Sequence, residues 1–152
     1  MKLPKFKNQD LFNQVFTHRS YLNEVQEKIE SNERIEFLGD SVLSLVVSSY
    51  IFNKYKNLNE GELTNIRSVL TNTETFYDVA KTLGLGKMLK LSRGEEQSGG
   101  RENKTILANT FEALVGGLYL DQGLAPTSDF IEKALLVHYD EIIKAQGLKD
   151  PK

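Results

Sequence analysis

The sequence contains no cysteine, and its 152 residues include only three prolines. Without cysteine there is no disulfide scaffold, no thiolate zinc site and no thiol nucleophile, so any chemistry must use oxygen and nitrogen groups. The prolines stand at positions 4, 126 and 151, and nothing between residues 5 and 125 forbids a helix on proline grounds. Helix is therefore the default expectation for most of the chain.

A strong excess of one charge is also missing. Nineteen Lys and Arg residues stand against 21 Asp and Glu residues, which gives a formal net charge of -2. This balance argues against binding of nucleic acid by bulk electrostatics alone, although binding through metal ions or through a separate basic domain stays open. With 39% apolar and 26% charged residues, the composition is typical of one globular domain rather than of a disordered or fibrous chain.

Long hydrophobic runs are absent as well. The longest apolar stretch, from Val42 to Phe52, is interrupted by serines and is too short to span a bilayer. The first residues, Met1 to Lys7, are basic but lack the apolar segment that a secretory signal needs. We therefore expect no membrane segment, no membrane partner and a cytoplasmic location.

The spacing of apolar residues predicts an all-α fold. The predicted helices cover 10–16, 34–52, 59–70, 73–83, 105–121 and 126–145. Asn59 and Thr73 are the expected N-caps of the third and fourth helices, and Gly84 stands where a helix end favours a left-handed residue. The segment 92–103 is glycine-rich and charged, which is typical of an exposed loop. The apolar residues of the helix over 34–52 cover most of its circumference, which places it in the middle of a bundle or against another subunit.

Two of the most apolar predicted helices carry oxygen ligands at helical spacing. Glu36 and Asp40 are four residues apart, and Asn109 and Glu112 are three apart, so each pair lies on one helix face. Acidic side chains seldom occur in apolar surroundings unless they are paired or bind a metal. Two such pairs favour a site for Mg²⁺ or Mn²⁺, with ordinary solvated acids as the alternative.

The glycines inside predicted helices and the two histidines have structural rather than catalytic explanations. Gly39, Gly116 and Gly117 lie inside predicted helices, where each costs about 1 kcal/mol relative to alanine, and tight helix packing is the favoured reason. His18 and His138 are interpreted as ordinary packing or surface residues without a catalytic role. Because neither histidine has a glutamate three residues before it, a di-iron carboxylate bundle is disfavoured.

The segment from Asn32 to Leu43 closely resembles the signature of the ribonuclease III family, which comprises metal-dependent endonucleases of double-stranded RNA. Further segments match in family order, and they are spread so that the resemblance extends over essentially the whole chain. They are 16–21, 60–64, 94–101 and 106–114. The resemblance implies an all-α nuclease domain over residues 1–147 that works as a homodimer.

The resemblance also implies roles for the four oxygen ligands. Glu36, Asn109 and Glu112 would bind Mg²⁺, with Mn²⁺ as a substitute, and Asp40 and Glu112 would act as the catalytic residues that arrange the attacking water and the substrate. The implied reaction is phosphodiester hydrolysis that leaves 5′ phosphates, 3′ hydroxyls and short 3′ overhangs on double-stranded RNA.

Four further residues are candidates for contacts with partners. Phe37 resembles the family's aromatic residue at the dimer interface, which would account for the apolar excess of the central helix. Arg93, Arg101 and Lys104 lie near the glycine-rich segment and are candidate substrate-binding residues that contact phosphates, with simple solvation of an exposed loop as the alternative.

One position departs from the family pattern. The family usually has aspartate where this chain has Asn109, and asparagine keeps one oxygen donor but loses the negative charge. We therefore expect weaker metal binding. Three interpretations stay open: a natural variant that still cuts, which the intact Glu36, Asp40 and Glu112 favour; a substitution engineered to inactivate the site; or a non-cutting homologue that binds double-stranded RNA.

The last residues, 148–152, resemble the start of the linker that leads, in typical bacterial members, to a double-stranded-RNA-binding domain. Such a domain would supply positive charge that this chain lacks.

Overall fold

The computed structural model describes residues 1–148, and within that range the structure is all-α, as the sequence predicts. The α-helices are α1 (Gln9–Val15), α2 (Glu33–Lys54), α3 (Glu60–Leu70), α4 (Thr73–Leu83), α5 (Arg93–Gln97), α6 (Lys104–Gln122), α7 (Leu124–Ala134) and α8 (Tyr139–Ala145). Four short 3₁₀ turns lie between them, at Arg19–Asn23, Leu85–Met88, Gly100–Glu102 and Leu136–His138. The predicted linker start lies outside the described residues from position 149 onward.

Helices α2 and α6 form the centre of the molecule. They pack along each other, and both bury residues on several sides because α1, α3, α4 and α7 surround them. By length and composition alone, Glu33–Lys54 is apolar enough to cross a membrane. Its packing against α6 instead makes it the core helix of a folded domain. Of the two predicted explanations for its apolar circumference, the structure shows α2 packed within the bundle, and the exposed Phe37, Leu45 and Phe52 leave a face open to another subunit as well.

Glycines allow α2 and α6 to touch through their backbones. A β-carbon at Gly39 would overlap the carbonyl oxygen of Glu112, and one at Gly116 would overlap the carbonyl oxygen of Ile35. Only glycine permits this approach, because any larger residue would force the helices apart. The predicted reason for these glycines, tight helix packing, is confirmed.

The N-terminal segment is fastened to the second half of α6. The ring of Phe6 is buried against Gly117, where a β-carbon would lie 3.2 Å from it. The carboxylate of Asp121 accepts hydrogen bonds from the backbone N–H groups of Lys7, at 2.8 Å, and Asn8, at 3.0 Å. Helix α6 is thus held by α2 on one side and by the chain's first residues on another.

Several helix ends follow the sequence signals. Asn59 and Glu62 form a capping box at the start of α3, and Gly84 ends α4 in the left-handed region at φ 70°. The N-cap of α4 is Asn72 rather than the expected Thr73, because the Asn72 side chain accepts from the backbone N–H of Thr75. Thr73 is instead the first helical residue.

Two elements differ from the predicted ones. The segment 92–103, expected as a loop, contains α5 and a 3₁₀ turn, because Ser92 caps α5 by accepting from the backbone N–H of Glu95. The last predicted helix is two helices, since the chain breaks at Leu135 before α8 begins. The break buries both Leu135 and Leu136, as well as Tyr139, which one straight helix on the surface would not do.

Candidate metal centre and adjoining cavity

The contact between Gly39 and the Glu112 carbonyl places the two predicted ligand pairs side by side. Asp40 follows Gly39 on α2, and Glu36 lies one turn before it. Glu112 lies one turn before Gly116 on α6, and Asn109 lies a further turn toward the N-terminus. The structure therefore brings Glu36, Asp40 and Glu112 within electrostatic reach of one another.

Glu112 is the most strongly perturbed of these carboxyls. Burial raises its pKa to about 8, aided by a hydrogen bond to Asp40 and by the negative charges of Asp40 and Glu36. Burial also raises the pKa of Glu36, with further contributions from the charges of Glu33 and Asp40. Asp40 itself is exposed, contrary to the expectation that both pairs lie in apolar surroundings. The raised pKa keeps the Glu112 carboxyl protonated at neutral pH.

This arrangement is not a complete carboxylate and histidine cage. Within residues 1–148, no three His, Asp or Glu side chains are placed as a ready metal cluster. The predicted ligand Asn109 is an amide, so Glu36 and Glu112 are the only carboxylates among the three predicted metal ligands. The donor set nonetheless fits a hard cation, because it is all oxygen and because a divalent ion would offset the burial and the repulsion that raise the pKa values of Glu112 and Glu36.

A cavity of about 690 Å³ adjoins the two helices and takes in Glu36 and Asn109. Its walls come from the segment after α1, the start of α2, helix α5 and the first turns of α6. The lining residues are His18, Arg19, Ser20, Asn23, Asn32, Glu33, Glu36, Glu95, Asn103, Thr105, Ile106, Asn109 and Thr110. Asp40 and Glu112 are not among them, so the predicted ligands straddle the edge of the cavity.

Backbone bonds between distant segments shape this cavity. Thr17 and Lys90 form an isolated parallel bridge, and the N–H of Lys90 donates to the carbonyl of Phe16. The backbone N–H of Ser92 donates to the Ser20 hydroxyl at 2.9 Å. These bonds tie the segment that precedes α5 to the segment that follows α1.

His18 has a structural role that agrees with its expected place. Its Nδ1 accepts a hydrogen bond from the backbone N–H of Ser20 at 3.1 Å and so caps the 3₁₀ turn Arg19–Asn23. Sequence reasoning did not anticipate that the same ring lines the cavity beside Glu36 and Asn109. The only available signal was that His18 lies within the matching segment 16–21.

The three candidate phosphate-contacting residues are placed differently from one another. Arg101 donates to the Glu96 carboxylate and to the carbonyls of Gly86 and Leu89, and Lys104 pairs with Glu74. Neither lines the cavity, and both join neighbouring segments of the fold instead. Arg93 is exposed on α5, and its side chain makes no hydrogen bond or ion pair among the residues that the structure describes.

Phe37 lies on the outer side of α2 with 78% of its surface exposed. Leu45 and Phe52 of the same helix are also exposed, at 53% and 66%. A core helix that leaves two phenylalanines in water retains apolar surface that folding of one chain does not cover.

Comparisons with known proteins agree with this architecture. The sequence profile of the ribonuclease-III-like family matches residues 8–139. Ribonuclease 3 of Clostridium botulinum strain Eklund 17B is 44% identical over 138 residues, which are 91% of this chain and 57% of that protein. The chain thus spans little more than half the length of the curated relatives it matches.

Solved structures of related proteins have the same fold. The chain superposes on the nuclease domain of ribonuclease III from Campylobacter jejuni with a TM-score of 0.80 at 36% identity, covering 86% of this chain and 87% of that one. That structure is described as showing structural flexibility in a region involved in dimer formation. Dicer from Pichia stipitis superposes with a TM-score of 0.70 at 31% identity, covering 98% of this chain and 64% of that one.

Proposed function

Because the chain belongs to the ribonuclease-III-like family, we propose that it is an endoribonuclease that hydrolyses double-stranded RNA with the help of a divalent cation. The observation that carries the proposal is the backbone contact at Gly39, which sets Glu36 and Asp40 of α2 beside Glu112 of α6. Clustered carboxyl groups with raised pKa values beside a cavity are frequent in functional sites.

Each of the four site residues has its own role in the proposed reaction. Glu36, Asn109 and Glu112 would bind Mg²⁺, or Mn²⁺ in its place, since all three offer oxygen donors. When bound, the cation lowers the pKa of water and neutralises charge on the phosphoryl group. Asp40, exposed and in contact with Glu112, orients the attacking water and accepts its proton. Water adds to the phosphorus, the bond to the 3′ oxygen breaks, and the 3′ oxygen takes a proton from solvent, so the products carry a 5′ phosphate and a 3′ hydroxyl.

We place the nuclease domain at residues 1–147 and propose that it works as a homodimer. The exposed Phe37 and the apolar surface of α2 support an interface on that helix. Two sites related by a two-fold axis would cut both strands of a duplex, with short 3′ overhangs as the product. A-form RNA suits such a dimer, because its wide minor groove is recognised by shape.

Asn109 favours a second candidate function, that of a homologue which binds double-stranded RNA without cutting it. The amide supplies one neutral oxygen where a carboxylate would supply charge, and this weakens cation binding. We favour the enzyme because Glu36, Asp40 and Glu112 are all present and placed together, whereas binding alone requires none of them.

Incubation with long duplex RNA at low salt separates the two functions, because low salt compensates for a net charge of -2. The enzyme produces fragments in Mg²⁺ and none in a chelator, and it leaves single-stranded RNA and duplex DNA of the same sequence intact. Duplex binding without fragments at any Mg²⁺ concentration would instead establish the non-cutting homologue.

A further inference from the structure

The ring of His18 offers a donor that the fold itself does not use. Its Nδ1 accepts from the backbone N–H of Ser20 and lies 2.8 Å from the Ser20 hydroxyl. Because Nδ1 is the acceptor, the neutral ring carries its proton on Nε2. Within residues 1–148 no group accepts a hydrogen bond from Nε2, although the ring is half-buried and lines the cavity.

The charges around the cavity indicate which kind of ligand group the Nε2–H of His18 can bind. Glu33, Glu36 and Glu95 line it, and Arg19 is the one Lys or Arg among the lining residues. An excess of carboxylates repels a bare phosphate, whereas a neutral hydroxyl can both donate to and accept from such walls.

The other residues that line the cavity also suit a neutral hydroxyl. Ser20, Asn23, Asn103 and Thr105, which have hydroxyl or amide side chains, also line the cavity. The Ser20 hydroxyl and the Asn103 Oδ1 already accept from the backbone N–H groups of Ser92 and Ile106. Asn32 is only 5% exposed, and its Nδ2 already donates to the carbonyl of Val15 at 3.0 Å. Its Oδ1 has no hydrogen-bond partner within residues 1–148 and is available to a group inside the cavity. A ribose edge, with its 2′-hydroxyl, matches these neutral donors and acceptors.

We propose that His18 is a specificity-determining residue, whose Nε2–H donates to a ribose 2′-hydroxyl of the bound strand and so selects RNA over DNA. The inference rests on the proposed function and deepens it. Burial lowers the pKa of His18, and the charge of Arg19 acts in the same direction, against the charges of Glu95 and Glu33. The ring thus stays neutral, with one nitrogen for the cap and the other for the substrate.

The variant His18→Asn separates the two roles of the ring. Asparagine is a good N-cap residue, so its oxygen replaces Nδ1 as acceptor for Ser20, but it has no group that reaches the position of Nε2. His138→Asn is the matched control, because His138 is exposed on another part of the molecule and does not line this cavity. Melting temperatures show whether each variant is folded.

Binding is measured by fluorescence anisotropy in Ca²⁺, with an all-ribose duplex and a series of duplexes that each carry one 2′-deoxyribose near the expected cut. We expect one deoxy position to weaken binding to the unaltered protein about fivefold, the worth of a neutral hydrogen bond. His18→Asn should bind the all-ribose duplex about fivefold more weakly and no longer distinguish that deoxy position, whereas His138→Asn should behave like the unaltered protein.

The inference is overturned if no single deoxy position weakens binding to the unaltered protein, a result that requires no variant. It is also overturned if folded His18→Asn still distinguishes the deoxy duplex fivefold, since the two losses would then be independent. If His18→Asn does not fold, His18→Gln replaces it: glutamine has an amide N–H near the position of Nε2, and loss of discrimination in a folded His18→Gln counts against the proposal. If the unaltered protein binds no duplex at all, the proposed function fails together with the inference, which distinguishes that failure from the others.

Discussion

At the scale of single residues, Glu112 decides how the site responds to protons. Its pKa of about 8 results from burial first, and then from Asp40 and Glu36. In the unfolded chain the carboxyl titrates near its ordinary value, so the folded state binds the proton more tightly. Stability from this group is therefore fully present below the ordinary pKa and is lost as the pH rises through about 8.

Substitution Glu112→Gln should remove this loss. In a chelator, we expect the free energy of unfolding of the variant to match that of the unaltered protein near pH 4 and to exceed it by about 2 kcal/mol at pH 9. This figure is discounted because solvent screens a partly exposed carboxyl. Urea unfolding across this pH range measures the difference. Parallel stability curves at all pH values would show that Glu112 ionises normally in the folded protein.

Much of this site could be predicted from residue spacing, and the limits have physical causes. Helical spacing was sufficient to pair Glu36 with Asp40 and Asn109 with Glu112, because both helices formed as predicted. Spacing could not show that Asp40 is exposed. It also could not show that Arg101 is held by the carbonyls of Gly86 and Leu89, since those bonds join segments whose relative placement only the fold determines.

At the scale of elements, the α2 and α6 contact through Gly39 and Gly116 controls the distance between the ligand pairs. We expect Gly39→Ala to lower stability by about 3 kcal/mol and to abolish RNA cleavage, because its methyl group collides with the Glu112 carbonyl. Thermal and urea unfolding, together with a cleavage assay, measure both effects.

Gly61→Ala in α3 is the matched control. Its β-carbon would meet only the Asn59 side chain, at an ordinary 3.5 Å, so the variant should be neutral or more stable by up to about 1 kcal/mol. Equal stability changes in the two variants would show that the helix contact is not as tight as described.

Element boundaries were predictable where local chemistry sets them. The capping box of Asn59 and Glu62 and the left-handed Gly84 act within one helical turn, and both are seen. The break at Leu135 involves no proline or glycine and follows from the burial of the adjacent Leu135 and Leu136 in the core. Helical periodicity in the sequence therefore could not predict it.

At the scale of the whole molecule, the proposed homodimer would cover the exposed Phe37. We expect the unaltered protein to sediment as a dimer and Phe37→Ala to weaken dimerisation about thirtyfold, as the loss of a central aromatic at an interface does. Val137→Ala, which removes an apolar group exposed on another element, should leave the dimer unchanged. A monomer at all concentrations of the unaltered protein would contradict the dimer proposal.

The most direct test of the account is cleavage of long duplex RNA measured as a function of Mg²⁺ concentration. Three proteins are compared: the unaltered chain, Asn109→Asp and Glu112→Gln. We expect the unaltered chain to cut at high Mg²⁺, Asn109→Asp to reach half its maximal rate at roughly tenfold lower Mg²⁺ because a carboxylate is the stronger ligand, and Glu112→Gln not to cut. Cleavage by Glu112→Gln at the rate of the unaltered chain, or rates independent of Mg²⁺ in all three proteins, would contradict a metal-dependent site at the contact of α2 and α6.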